Sequence, residues 1–141
     1  MNRQQKTFQS LPPAVLVRTL AEARRATAAA QRHECPVLLL TEPGAQARLG
    51  PGYLLEMVHQ AGAARALLDC GGDAGTAMLA LRLGWRDLHL GGAADTVARV
   101  AAMAEAAGCC FHANLPAAFD LSACGPVDEP LVEWLALHGS N

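Results

Sequence analysis

The sequence predicts an α/β domain, an open three-layer α/β/α sandwich with about four parallel strands, flavodoxin-like in outline. Three helix-like runs stop at Gly62, Gly84 and Gly108, about 23 residues apart, and a short apolar run follows each. These runs are Ala66-Leu67-Leu68-Asp69-Cys70, Asp87-Leu88-His89-Leu90 and Cys109-Cys110-Phe111-His112. A glycine just past a helix can take the left-handed conformation that ends it, so the pattern is a repeated helix-strand unit. The runs also lack the strict alternation of a strand wet on one side, as strands covered on both faces of a parallel sheet do. Half of a (β/α)-barrel completed by a second copy is the alternative, because four strands cannot close an eight-stranded barrel.

Taken in order, residues 1–12 read as a polar, loose leader, and Pro13 suits the first turn of a helix. From Ala14 to about Arg32 the residues Val15, Leu16, Leu20, Ala23 and Thr27 recur at helical spacing, with Arg18, Glu22, Arg25 and Arg32 off the stripe. Pro36 to Thr41 is a continuous apolar run bounded by Pro43-Gly44, hence a buried strand. A loop from Gly44 to Gly52 leads to a helix from about Tyr53 to Ala61. The second unit has a strand at 65–70, the turn Gly71-Gly72-Asp73-Ala74-Gly75 and a helix from Thr76 to Leu83. The third has a strand at 87–90, the turn Gly91-Gly92-Ala93-Ala94 and a helix capped by Asp95 or Thr96 that runs to Ala107. A fourth strand, 109–113, ends at Asn114-Leu115-Pro116. Residues 115–141 read as an irregular extension, loop-like from Pro116 to Pro130, with a short helix from Leu131 to His138. Alternating strands and helices call for parallel strands joined by right-handed crossovers within one domain, 1–141.

Composition narrows the function. A chain of 141 residues is long enough to bury a proper core. It is 52% apolar and only 17% charged, against about 25% charged in ordinary globular proteins. The surplus of apolar surface predicts self-association, with a homodimer as the commonest outlet. A net charge of −2 and 4% aromatic residues exclude a nucleic-acid partner, which needs a basic stripe and stacking rings. The five cysteines, at 35, 70, 109, 110 and 124, form no C-x-x-C pair, so reduced thiols in a cytoplasmic protein are expected. Arg18 and Glu22 interrupt any signal-peptide core, and no run approaches the roughly 20 apolar residues of a membrane span.

In parallel α/β folds, ligands sit beyond the carboxyl ends of the strands, where loops converge and helix N-termini point their amides. That rule selects Thr41 and Glu42, Asp69 to Asp73, His89 to Gly92 and His112 to Asn114. The Gly71-Gly72 and Gly91-Gly92 pairs remove side-chain bulk ahead of a helix, which lets backbone amides approach an anion. In this they resemble the phosphate-holding turns of some (β/α)8-barrel enzymes, although tight strand-to-helix turns need glycine for their own geometry. Asp69 and His89 each lie two residues before their glycine pair, so aligned strands would put them in one layer. If those strands are neighbours, the carboxylate can hold the imidazole directly. If the first strand lies between them, Thr41 fills the intervening place. His112 and Asn114 close the fourth strand.

The exclusions are sharper. Lys6 is the only lysine and lies in the leader, so no strand-borne Schiff base is available. Ser10, Ser122 and Ser140 are the only serines, and none stands in a nucleophile elbow. Neither G-x-G-x-x-G nor G-x-x-x-x-G-K-[ST] occurs, so no cofactor is implied. Cys70, His89 and His112 are donors of the type zinc accepts but lack compact ligand spacing, and no metal is expected. Two classes of function remain: a domain that binds a small anionic, possibly phosphorylated, ligand at this edge, and a non-catalytic sensing or assembly module that acts through a partner or a second copy.

Overall fold

A computed structural model describes residues 11–139 of the chain. Most of the predicted leader, residues 1–10, lies outside the described residues, as does the end of the chain. The elements are β1 (Ala14–Val17), α1 (Leu20–Arg32), β2 (Leu38–Thr41), α2 (Ala45–Arg48), α3 (Pro51–Gln60), β3 (Ala66–Asp69), α4 (Ala74–Leu83), β4 (Asp87–His89), α5 (Ala94–Ala106), β5 (Cys110–His112), β6 (Ala118–Asp120), a 3₁₀ turn (Leu121–Cys124) and α6 (Glu129–His138). The class is the predicted one: a single all-parallel sheet flanked by helices. It has six strands rather than four.

Both extra strands fall where the sequence pointed elsewhere. Ala14–Val17 is a strand and not the start of a helix, because Thr19 caps α1 instead: its side chain accepts a hydrogen bond from Glu22 N, while Glu22 Oε1 accepts one from Arg18 N at 2.8 Å. This reciprocal arrangement is a close relative of the capping box and fixes the helix start at Leu20. Ala118–Asp120, in the segment predicted to be loop-like, adds a strand beside β1. The helix stops agree with expectation: Gly62, Gly84 and Gly108 all have positive φ.

The strand order is β5-β4-β3-β2-β1-β6, the consecutive order of the half-barrel alternative. Strand alternation sorts the sheet residues into two clusters. Val15, Val17, Leu39, Leu68 and Leu88 join a large core with the helices, to which α1 contributes Ala23, Ala26, Ala29 and Ala30. Alanines here let α1 lie close on the sheet. On the other side Ala14, Leu38, Leu40 and Leu67 form a second cluster with Leu11, Leu16 and Ala118.

That second face is buried although its cluster holds no helix residue: Leu38 and Leu67 are fully covered. The connection from β5 to β6 accounts for it. These strands occupy opposite edges, yet only residues 113–117 join them. Six flat strands would put the edges about 24 Å apart at about 4.8 Å per step. The six Cα steps from His112 to Ala118 reach at most about 22 Å, and the chain must also return to the start of a parallel strand. The sheet therefore curls its edges toward each other, and on its concave face Leu38 and Leu67 are already covered within a single chain.

Candidate functional site

The parallel register aligns Asp69 with His89, and His89 with His112, across β3, β4 and β5. Their neighbours Leu68, Leu88 and Phe111 pack on the helix side, so the three polar side chains share the opposite, concave side at the carboxyl edge. The predicted single layer of Asp69 and His89 is thus present, and β1 does not intervene.

The bonding within the layer differs from the expected carboxylate-imidazole bond. Asp69 Oδ1 accepts a hydrogen bond from Gly71 N at 2.8 Å, and Thr41 Oγ1 accepts one from Asp69 N at 3.0 Å. Thr41 is buried and fastens β3 to β2. His89 Nδ1 lies 2.8 Å from the carbonyl oxygen of His112. A carbonyl only accepts, so Nδ1 donates this bond, and Nε2 is the ring nitrogen left to face the turn. A Cβ on Gly91 would come within 3.9 Å of that nitrogen, which puts the glycine turn directly beside it.

The two turns are bonded to each other, Gly91 N to Gly71 O at 2.7 Å, so both turn-entry amides are already used inside the protein. Gly71 has φ 59 and a Cβ there would lie 3.1 Å from Gln46 Nε2, which makes glycine the residue this turn accepts. Beyond it, Asp73 caps α4: its carboxylate accepts from Thr76 N at 3.1 Å and from Thr76 Oγ1 at 2.8 Å. These bonds hold its carboxyl below the ordinary value of 3.8. The first glycine turn, expected to cradle an anion with Asp73 beside it, therefore already has a carboxylate at its helix. The second differs. α5 begins at Ala93 with no side-chain cap, contrary to the predicted Asp95 or Thr96 cap, and Gly92 has φ 110. Thr96 N is satisfied by Asp95 Oδ1. The amides of Gly92, Ala93 and Ala94 find no partner among the described residues.

Next to this layer lies a group the sequence did not reveal. Asp87, 3% exposed at its side chain, takes a two-pronged bond from Arg65 (Nη2 at 2.9 Å, Nε at 3.2 Å) and a third bond from His112 Nε2 at 2.8 Å. Burial raises the Asp87 carboxyl pKa, but the bonds from His112 and Arg65 outweigh it and hold the value below 3.8. His112 is thus oriented by a carboxylate and is not a loose strand end, while its backbone oxygen orients His89. On the far side of the same edge, Arg18 pairs with Asp120 and Glu42 and bonds Ser122, and Arg48 also pairs with Glu42. That guanidinium is saturated by the protein's own acids.

Cys70 belongs to the helix-side core, away from His89 and His112, and burial pushes its thiol up to about 12. Among the described residues no three histidine, cysteine or acidic side chains converge closely enough to hold a metal ion. No helix among them is long and apolar enough to cross a membrane. No protein-family model matches the chain, and a search of the curated proteins finds no match.

Proposed function

We propose that the chain binds a small anionic ligand, phosphorylated or carboxylated, at the carboxyl edge of β3 and β4. The observation that carries this is the pairing of His89 with Asp69 in register beside the interlocked glycine turns, with the His89 ring held through Nδ1 so that Nε2 faces the Gly91 turn. The uncapped start of α5 offers amides and a favourable dipole to the anionic group. Asp69 and His89 offer acceptors to a hydroxyl or another donor on the same molecule. A sugar or polyol phosphate has both features. His89 is then the group through which any proton would move.

A thermal-shift screen with phosphate monoesters and small carboxylates tests this. A ligand at 100 times its Kd adds about 2.7 kcal/mol of stability. Asp69→Asn keeps an oxygen for Gly71 N, so it and His89→Ala should weaken the ligand at least tenfold with the fold retained. A ligand that stabilises wild type and both variants equally overturns the assignment of these residues.

The second reading, a non-catalytic assembly module, is favoured by a different observation: the solvent side of α4 and its neighbours carries Tyr53, Met78, Leu79, Leu83 and Met103, each 39% or more exposed. The groove between α4 and α5 is lined by Gly75, Met78, Leu81, Arg82, Met103 and Ala107, and includes none of the glycine turns or Asp69.

A further inference from the structure

Helix α4 has an outward stripe with an unusual symmetry. Ala77 and Ala80 are its buried residues, and at 100° per residue the opposite side is centred on Gly75, Met78, Leu79 and Arg82. These positions pair about one midpoint: 75 with 82 and 78 with 79. Two copies of the helix laid antiparallel would therefore bring Met78 and Leu79 of both copies together about the twofold axis and set Gly75 opposite Arg82 at each end. Gly75, Met78, Leu79 and Arg82 are all exposed.

Charge follows the same symmetry. Asp73 caps the N-terminus, Arg82 stands in the last turn, and no charge lies between them. In the antiparallel pair each Arg82 lies opposite the other copy's Gly75, about 3 Å along the axis from Asp73 at 1.5 Å per residue. Arg82 forms no ion pair within its own chain among the described residues. The Asp73 carboxylate, with about four lone-pair sites, keeps acceptor capacity beyond its bonds from Thr76 and from the Gly75 backbone, which favour its ionised form. Gly75 adds no side chain to hold the helices apart. Leu83 and Met103 flank the stripe on the α3 and α5 sides and extend the apolar area.

We propose that α4 is the twofold interface of a homodimer, packed antiparallel on its own copy through Met78 and Leu79 and locked at both ends by Arg82-Asp73 ion pairs. A twofold contact must be self-complementary, each residue meeting the one its mate meets in return. A stripe with opposite charges at its ends and an apolar middle satisfies that only when antiparallel, because a parallel pairing would oppose like charges. The occupant is a second copy of this chain.

Sedimentation equilibrium of wild type, Leu79→Glu and Arg82→Glu, each with far-UV circular dichroism to check folding, tests the proposal. Wild type should be a dimer. Leu79→Glu, which places two carboxylates at the twofold axis, should raise the dissociation constant at least 100-fold. Arg82→Glu should raise it about tenfold at low salt, with a smaller effect at 0.5 M salt, where exposed pairs are screened. A Leu79→Cys chain in a Cys110→Ser background should also cross-link to itself on mild oxidation. A wild type that stays monomeric to millimolar concentration, including one that associates only with a different protein, overturns the proposal, as does a dimer that Leu79→Glu leaves intact.

Discussion

Asp87→Ala will lower the unfolding free energy by about 3 kcal/mol, measured by urea denaturation at pH 7. Removing one member of a buried ionic group costs about 3–5 kcal/mol, because the partners keep their desolvation without the compensating charge. The lower end applies here, since Arg65 is 35% exposed at its side chain and can turn to water, whereas His112 cannot. Asp87→Asn, which preserves shape and one acceptor, should cost less. The same residue sets part of the acid response. Its folded pKa lies below the ordinary 3.8, so its contribution is fully present above that value and is lost as pH falls through the folded one. Asp120, held down to about 2 by the hydrogen bonds from Arg18 and Ser122, behaves likewise. Stability should therefore fall steadily from about pH 4 to pH 2, and more gently in Asp87→Asn.

Trp85→Ala will cost about 3–5 kcal/mol, the range for truncating a buried aromatic residue. Trp85 is 3% exposed within the helix-side core, and its Nε1 donates to Pro51 O at 3.0 Å. Truncation opens a cavity between the start of α3 and the end of α4 and removes the indole hydrogen bond to Pro51 O. Trp85→Phe fills most of the volume and loses only the hydrogen bond, so it should cost about 1–2 kcal/mol. A smaller penalty for alanine than for phenylalanine would contradict this account of the packing. Because Trp85 begins the chain's entry into β4, the alanine variant should also loosen His89, and amide exchange in β4 should quicken.

The fold class was legible because glycine punctuates this chain so regularly: Gly62, Gly84 and Gly108 end helices by adopting positive φ, and a strand follows each. β1 was not, because Val15 and Leu16 happen to continue the helical spacing of Leu20 and Ala23, and four apolar residues are too few to show a period of their own. The signal that separates them was present in Thr19 and Glu22, whose spacing marks a helix start. β6 has three residues in a stretch rich in proline and glycine, and only its pairing with β1 makes it a strand.

The candidate site was half legible for a related reason. Asp69 and His89 stand at equal distances from their glycine pairs, so position along the chain carried over directly into position in the sheet. Asp87 and His112 are 25 residues apart, and Arg65 and Asp87 are 22 apart. Their meeting depends on β3, β4 and β5 being consecutive neighbours, which local pattern does not specify. Asp73, a ligand-binding candidate by its place in the first glycine turn, also has a structural role that its position just ahead of a helix makes legible: it caps α4, with its carboxylate accepting from Thr76 N.

Amide chemical-shift mapping by NMR, with inorganic phosphate and then a polyol phosphate titrated into the full chain, should show saturable shifts centred on Gly92, Ala93, Ala94 and His89. These should be lost in His89→Ala and absent at the Asp73-capped start of α4. Saturable shifts confined to other surfaces, or none at all up to millimolar ligand of either kind, would contradict ligand binding at the carboxyl edge of β3 and β4.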